Sequence, residues 1–129
     1  MGQLGNSGGQ KFWSWYGFES RVEWCACFAS WCAEQSGMVA SGQVLKFSSC
    51  AVGASWFQGQ GRWKGKGYTP SAGDFIFFDW NKDGQVDHVG IIVNVANGRV
   101  NTIEGNTSNM VARRSYQLGG IVIVGYGYI

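Results

Sequence analysis

The hydrophobic period of this chain changes once along its length, and that change limits what it can fold into. From about Ser20 to Gln35 apolar residues recur at helical spacing: Cys25, Ala29 and Cys32 share one stripe, and Trp24, Phe28 and Trp31 lie on an adjacent one. Gly37 stands where a C-terminal cap belongs. After Pro70-Ser71-Ala72-Gly73-Asp74 the period becomes two. Phe75 to Trp80, His88 to Val95, Arg99 to Ile103 and Ile121 to Tyr128 read as strands, with turns at Asn81–Gly84, Asn97–Gly98 and Gly119–Gly120. A helix followed by successive strands specifies an α+β fold, with the cysteine-bearing N-terminal helix packed on an antiparallel sheet.

The length of 129 residues suits a single domain with a real core. Residues 1–11, rich in Gly, Ser, Gln and Asn, read as a loose lead-in, and 12–129 as one domain without a linker or an internal repeat. The aromatic stretch Phe12 to Phe18 is expected to pack as a lid or core edge. Glycine is abundant at 21 residues against a single proline, which points to tight turns between short strands. The net charge of +2 gives little field to steer a nucleic acid. No apolar run approaches the roughly 18 residues of a membrane span, and the N-terminus carries no signal-peptide pattern.

The chemistry-bearing residues are few. Cys25 lies near the head of the helix, His88 opens a strand and is the one histidine in the chain, and Glu104 and Asn106 lie just past the end of the next strand, in the pentad Ile103-Glu104-Gly105-Asn106-Thr107. Cysteine, imidazole and a carboxylate or amide are the parts of thiolate acyl transfer, in which the imidazole forms the ion pair and later protonates the leaving amine. Ser20-Arg21-Val22-Glu23 matches a capping box, which would bury Cys25 in the second turn. A nucleophile gains most from the helix dipole and the free amides of the first turn, so a start near Glu23 or Trp24 is expected instead.

Hairpin register decides whether the acid can reach the base. With Ala96-Asn97-Gly98 as a three-residue loop, Val95 pairs with Arg99, His88 stands opposite Asn106 and Gly90 opposite Glu104. Gly90 then leaves room for a Glu104–His88 contact, and Ile91 meets Ile103 on the other face. A two-residue Asn97-Gly98 turn slips the register by one and sets Glu104 against Ile91, which burial disfavours.

The other cysteines, Cys27, Cys32 and Cys50, read as small buried hydrophobes, with a Cys32–Cys50 bridge as the alternative. No metal site is expected, because Cys25 and Cys27 are one residue apart and no CxxC pair answers them. Asp79-Trp80-Asn81-Lys82-Asp83-Gly84 imitates the opening of a calcium loop, but Gly90 stands where the closing bidentate Glu belongs, and a polar hairpin turn is expected.

Trp24-Cys25-Ala26-x-Phe28, Asp87-His88-Val89-Gly90-Ile91 and Ile103-Glu104-Gly105-Asn106 together resemble the cysteine, histidine-dependent amidohydrolase/peptidase (CHAP) family. Pro70-x-x-Gly73-Asp74-x-Ile76-x-Phe78 and Gly125-Tyr126-Gly127 extend the likeness over Phe12 to Gly127. The resemblance implies a papain-like fold and hydrolysis of an amide bond in peptidoglycan, as amidase or endopeptidase, without a cofactor. It implies Cys25 as nucleophile, His88 as general base and then acid, Glu104 as orienting carboxylate, Asn106 as an auxiliary polar group, and the Cys25 amide in the oxyanion site. It also implies a setting at the cell wall or outside the cell, or in a phage or mobile element, as in phage lysins and autolysins, with peptidoglycan as partner and a monomeric state. The acidic calcium loop that some members carry before the cysteine has no counterpart in Gly5 to Gly9, and no repeat-type wall-binding module follows. Two other readings are a wall-binding module without catalysis and a nucleic-acid binder using Arg62-Trp63-Lys64-Gly65-Lys66-Gly67-Tyr68, a segment otherwise expected to be a solvated loop beside the cleft.

Overall fold

The computed structural model describes residues 3–107 and 109–129. In chain order its elements are β1 (Gln3–Gly5), α1 (Gln10–Tyr16), α2 (Cys25–Gln35), α3 (Cys50–Gly59), β2 (Trp63–Gly65), β3 (Phe75–Phe78), β4 (His88–Ala96), β5 (Arg99–Thr107), β6 (Met110–Gln117) and β7 (Ile123–Gly127). The strands form one antiparallel sheet of seven in the order β1-β6-β5-β4-β3-β7-β2, and α2 packs on its centre against β4 and β5. The α+β fold with a cysteine-bearing helix on an antiparallel sheet is the one expected.

Helix α2 starts at Cys25 with Trp24 as its N-cap, so the capping box at Ser20 is not used and the late start holds. Residues 25–30 are all buried, the mark of a helix enclosed on every side. The two stripes go to different places. Cys25, Ala29 and Ala33 join Phe75, Phe77 and Val89 of the sheet. Trp24 and Phe28 join Phe12 and Val111. Cys32 departs from its expected stripe and packs with this second cluster. The helix ends in a Schellman motif: Gly37 N–H donates to Glu34 O at 3.0 Å and Met38 N–H to Ala33 O at 2.9 Å, with Gly37 at φ 80°.

Period-two alternation divides the sheet as the pattern requires. Phe75, Phe77 and Val89 face α2 and α3, while Ile76, Phe78, Ile92, Val100, Ile123 and Tyr126 form a cluster on the opposite face. The Asp74 carboxylate fixes the start of β3 by accepting from the Ser71 N–H at 2.9 Å and the Tyr68 hydroxyl at 3.1 Å.

The β4–β5 hairpin corrects one detail and keeps its consequence. Ala96 pairs with Arg99, and Asn97 and Gly98 both have positive φ, 54° and 74°. The connection is therefore the two-residue turn, not the three-residue loop. An irregularity between Ile92 and Asn94 then shifts the pairing by one, so Ile91 still stands opposite Ile103. The ladder pairs end there, so the expected His88–Asn106 pair lies beyond them. Gly90 does make the room expected of it, since a Cβ there would lie 2.7 Å from Glu104 Cγ.

Several elements lie outside the sequence reading. In the supposed lead-in, Gln3–Gly5 pair with β6 and α1 begins at Gln10; residues 1 and 2 lie outside the described residues. The stretch Phe12 to Phe18 is largely helical, with Phe12 in the core. Helix α3 is capped by Ser49, whose Oγ accepts from Val52 N–H at 3.3 Å. The segment 62–68 is not a solvated loop. Trp63–Gly65 is an edge strand paired with β7, the Trp63 ring packs 5.5 Å from Phe77, and Tyr68 lies 5.6 Å from Tyr126. Both aromatics are half-buried in this packing. No helix among the described residues is long and apolar enough to cross a membrane.

The approach of α2 to β5 depends on Gly105, where a Cβ would lie 2.4 Å from Phe28 Cβ and 3.0 Å from Trp24. Neither neighbour is a flexible side-chain tip, so the helix itself must move. Gly105→Ala should lower stability by about 1–3 kcal/mol, read as a fall in Tm by circular dichroism; an unchanged Tm would show that the helix has slack against the strand.

Candidate active site

Cys25 is the first residue of α2, so its amide is one of the helix N–H groups without an intrahelical acceptor. His88 is the first residue of β4, next to Cys25, and Glu104 lies behind it on β5. His88 Nε2 and Glu104 Oε1 are 2.8 Å apart. With Nε2 engaged by the carboxylate, Nδ1 remains for the thiol. Cys25 and His88 keep only 5% and 8% of their surface exposed, which thins the water around both groups. Phe78 and Trp80 flank the imidazole at ring distances of 5.7 Å and 5.0 Å.

This surrounding favours a thiolate–imidazolium pair. The hydrogen bond from Cys50 is the largest influence on the Cys25 thiol; burial opposes it, and the hydrogen bond and charge of His88 reinforce it, bringing the thiol down to about 5. For His88, burial acts to lower its basicity, but hydrogen bonds and charge from Cys25 and Glu104 outweigh it and raise the imidazole to about 9. Burial pushes Cys27 and Cys32 the other way, to about 11. Cys25 is thus the one cysteine of the four held toward the thiolate form.

Glu104 is fully buried, and its carboxylate is held by three donors. Besides His88, the Thr102 hydroxyl donates to Oε2 at 2.5 Å and the Tyr116 hydroxyl donates to the same oxygen at 2.8 Å. Burial, then the adjacent carboxylate charge, raises the Tyr116 phenol far above its ordinary value, so it remains a donor. Neither residue was found from sequence. Thr102 lies on the same face as Glu104 by strand alternation and could have been named, whereas Tyr116 belongs to a strand whose pattern was not recognised.

Asn106 sits elsewhere. At φ 60° it turns away from the ladder; its amide NH2 donates to Glu23 Oε2, and its carbonyl accepts from Arg21 Nη2 at 2.9 Å. Arg21 also donates to Asn109 Oδ1 at 2.8 Å, joining the residues before α2 to the β5–β6 turn. Asn106 thus braces the entry to α2. Glu23, Trp80, Asn81, Asp87, His88, Asn106 and Thr107 line an open cleft of about 380 Å³. A cavity of about 210 Å³ lined by Cys32, Met38, Phe75 and Ile91 is almost wholly apolar, and the only titratable group in its lining is the Cys32 thiol.

The loop resembling a calcium site spends its carboxylates internally. Asp79 accepts from the N–H groups of Asp83 at 3.2 Å and Gly84 at 2.8 Å, and Asp87 accepts from those of Trp80 at 3.0 Å and Asn81 at 3.1 Å. Gly84 has φ 86°, as a tight polar turn needs. All four cysteines are free thiols, and Cys50 faces Cys25 rather than Cys32, with the two sulfurs 3.4 Å apart.

A cysteine at a helix head is set against an imidazole and a carboxylate on the sheet of an α+β domain. The CHAP domain family matches residues 15–106, and the chain belongs to that family. Two solved structures share the fold at a TM-score of 0.55: that of Ly7917, 20% identical, covering 79% of this chain and 51% of its own, and that of Ly7917 with the hydrolysing product of MDP, 21% identical, covering 79% and 52%. The chain thus spans about half the length of these structures. No curated protein sequence gives a significant match.

Two outcomes follow from the electrostatics and the loop. Iodoacetamide should label Cys25 at a rate that rises through about pH 5 in the native protein. His88→Ala should move that rise upward by removing the cation that stabilises the thiolate; peptide mapping across a pH series reads both, and an unmoved profile would separate His88 from the thiol. EGTA should leave Tm unchanged, because the oxygens of Asp79 and Asp87 already accept from backbone amides; a fall restored by calcium would make this turn a metal site.

Proposed function

We propose that this domain is a peptidoglycan hydrolase that cuts an amide bond through a cysteine acyl-enzyme. The observation that carries the reading is the 2.8 Å contact between His88 Nε2 and the buried Glu104 carboxylate, beside a thiol lowered to about 5 at a helix head. CHAP membership supports the reaction class, and the likeness to Ly7917, whose structure was also solved with the hydrolysing product of MDP, supports a wall fragment as substrate.

The Cys25 thiolate attacks the scissile carbonyl. The developing oxyanion is stabilised by the Cys25 amide, whose N–H is free at the start of α2. His88, as imidazolium, gives its proton to the departing amine, leaving a thioester on Cys25. The imidazole then takes a proton from water, which attacks the thioester and releases the acid. Glu104 holds one tautomer and stabilises the imidazolium; Thr102 and Tyr116 hold Glu104. Asn106, bonded to Glu23 and Arg21, shapes the cleft on the substrate side rather than orienting His88. An N-acetylmuramoyl-L-alanine amidase and a stem or cross-bridge endopeptidase both run this chemistry. The fold is of the papain-like kind, acting as a monomer at the cell wall or in a phage or mobile element, and residues 12–129 carry the catalytic unit.

Purified peptidoglycan should be solubilised by the native protein and left intact by Cys25→Ala and His88→Ala, with the fold retained by circular dichroism. Mass spectrometry of the fragments names the bond: a free stem peptide means amidase, a shortened stem means endopeptidase. Turnover should rise through about pH 5 as the thiol ionises and fall through about pH 9 as the imidazolium is lost. Glu104→Gln should lower kcat roughly 10²- to 10⁴-fold, and Asn106→Ala should cost less. Native turnover in Cys25→Ala would end this mechanism, and a larger loss in Asn106→Ala than in Glu104→Gln would overturn the orienting role given to Glu104.

A further inference from the structure

Two helices begin at the same point in space. Cys25 is the first residue of α2 and Cys50 the first of α3, and their sulfurs meet at 3.4 Å inside the core. Each helix N-terminus favours a thiolate, but two thiolates this close repel strongly, so one proton stays between them. His88 stands next to Cys25, which therefore gives up its proton. The hydrogen bond to Cys25 is the largest influence on the Cys50 thiol; burial, the charge of Cys25 and the charge of Asp87 act in the same direction, raising it far above the ordinary thiol range, so it remains S–H wherever Cys25 is ionised. The titratable groups around the pair are His88 and Asp87 from the β4 side and Cys27 from α2 itself.

We propose that Cys50 is the partner thiol of the nucleophile, donating S–H to the Cys25 thiolate in the working enzyme and closing a Cys25–Cys50 disulfide with it when a hydroperoxide oxidises the site. The proposal rests on Cys25 being the reactive thiol of the proposed function. In the first step the Cys25 thiolate attacks the peroxide oxygen, the O–O bond breaks, and the alcohol or water leaves with the proton of the His88 imidazolium; Cys25 becomes a sulfenic acid. In the second step Cys50 loses its proton to His88 and attacks the Cys25 sulfur. Hydroxide departs and takes the proton back from His88 as water. Two thiols and one hydroperoxide thus give one disulfide, one alcohol and one water. Bond formation needs the sulfurs to close to about 2.05 Å, a short movement from 3.4 Å between side chains already in contact. The disulfide removes the nucleophile yet spares it from irreversible oxidation to the sulfinic acid, and a dithiol restores it.

The native protein alone gives the first test. After brief treatment with hydrogen peroxide, peptide mapping should find the Cys25 and Cys50 peptides joined, with the loss of two hydrogens, and dithiothreitol should restore iodoacetamide labelling of Cys25. In Cys50→Ala and Cys50→Ser the same treatment should instead leave Cys25 as a sulfinic acid that dithiothreitol does not recover. Without peroxide, Cys50→Ala should slow labelling of Cys25 at about pH 6 by roughly tenfold, corresponding to a pKa rise of about two units above its value of about 5. Cys50→Ser, which keeps a donor, should recover part of that loss. A native protein that goes straight to the sulfinic acid, or joins other cysteines, overturns the disulfide. Unchanged labelling in Cys50→Ala overturns the donor role. Labelling and mapping read the thiols without substrate, so a protein that meets these results yet leaves peptidoglycan intact would refute the proposed function and not this pairing.

Discussion

A carboxylate with no exposed surface cannot remain charged in a protein core unless donors replace the water it has lost. Glu104 is in that position, and much of the site can be traced to how its needs are met. Thr102 from its own strand, Tyr116 from β6 and His88 from β4 supply the three donors, so three strands must hold register around one side chain. Gly90 must lack a side chain because Glu104 occupies that space. The carboxylate in turn fixes which nitrogen of His88 faces the thiol. The orientation of the His88 ring is thereby built into the sheet, where strand pairing makes it costly to disturb.

Cys25 comes from a different layer, and the contact between layers sets its position. Trp24 is buried against Phe12 at 5.6 Å, and Phe28 sits against Gly105, so the head of α2 is anchored by aromatic packing rather than by a side-chain cap. The anchoring leaves the first amides free and the thiol against the His88 side of the sheet. The brace of Arg21, Glu23, Asn106 and Asn109 holds the preceding chain from outside. Core packing and polar bracing together determine one angle of approach, and the chemistry depends on that angle.

What could be read in advance, and what could not, divides along the range of the interactions. The α2 stripes apart from Cys32, the Gly37 cap and the strands expected from Phe75 and from His88 were legible because each is a local pattern tied to one burial direction. Strand β6 was not, since Arg113 and Arg114 interrupt its alternation. Helices α1 and α3 were missed for a related reason: α1 is capped by Gly9 and α3 contains glycines, so both are weak helix formers stabilised by burial of Phe12 and Phe57. The β4–β5 turn shows the limit most clearly. Burial correctly put Ile91 opposite Ile103, but the chain reached that register through a two-residue turn and a bulge, a combination that local turn rules do not weigh together.

By itself, the sequence determined the class of fold, the late start of the cysteine-bearing helix and the expectation that Cys25, His88 and Glu104 would meet. Residue type, period and the presence of a single histidine are properties of the chain read in order. Only the tertiary structure decided that Asn106 braces the entry to α2 and that Tyr116 and Thr102 complete the shell of Glu104. It alone set Cys50 against Cys25, by bringing together two helix heads 25 residues apart in the chain. Those facts depend on which surfaces meet when helices pack on a sheet. Side-chain volume and burial settle that only once every element is in place.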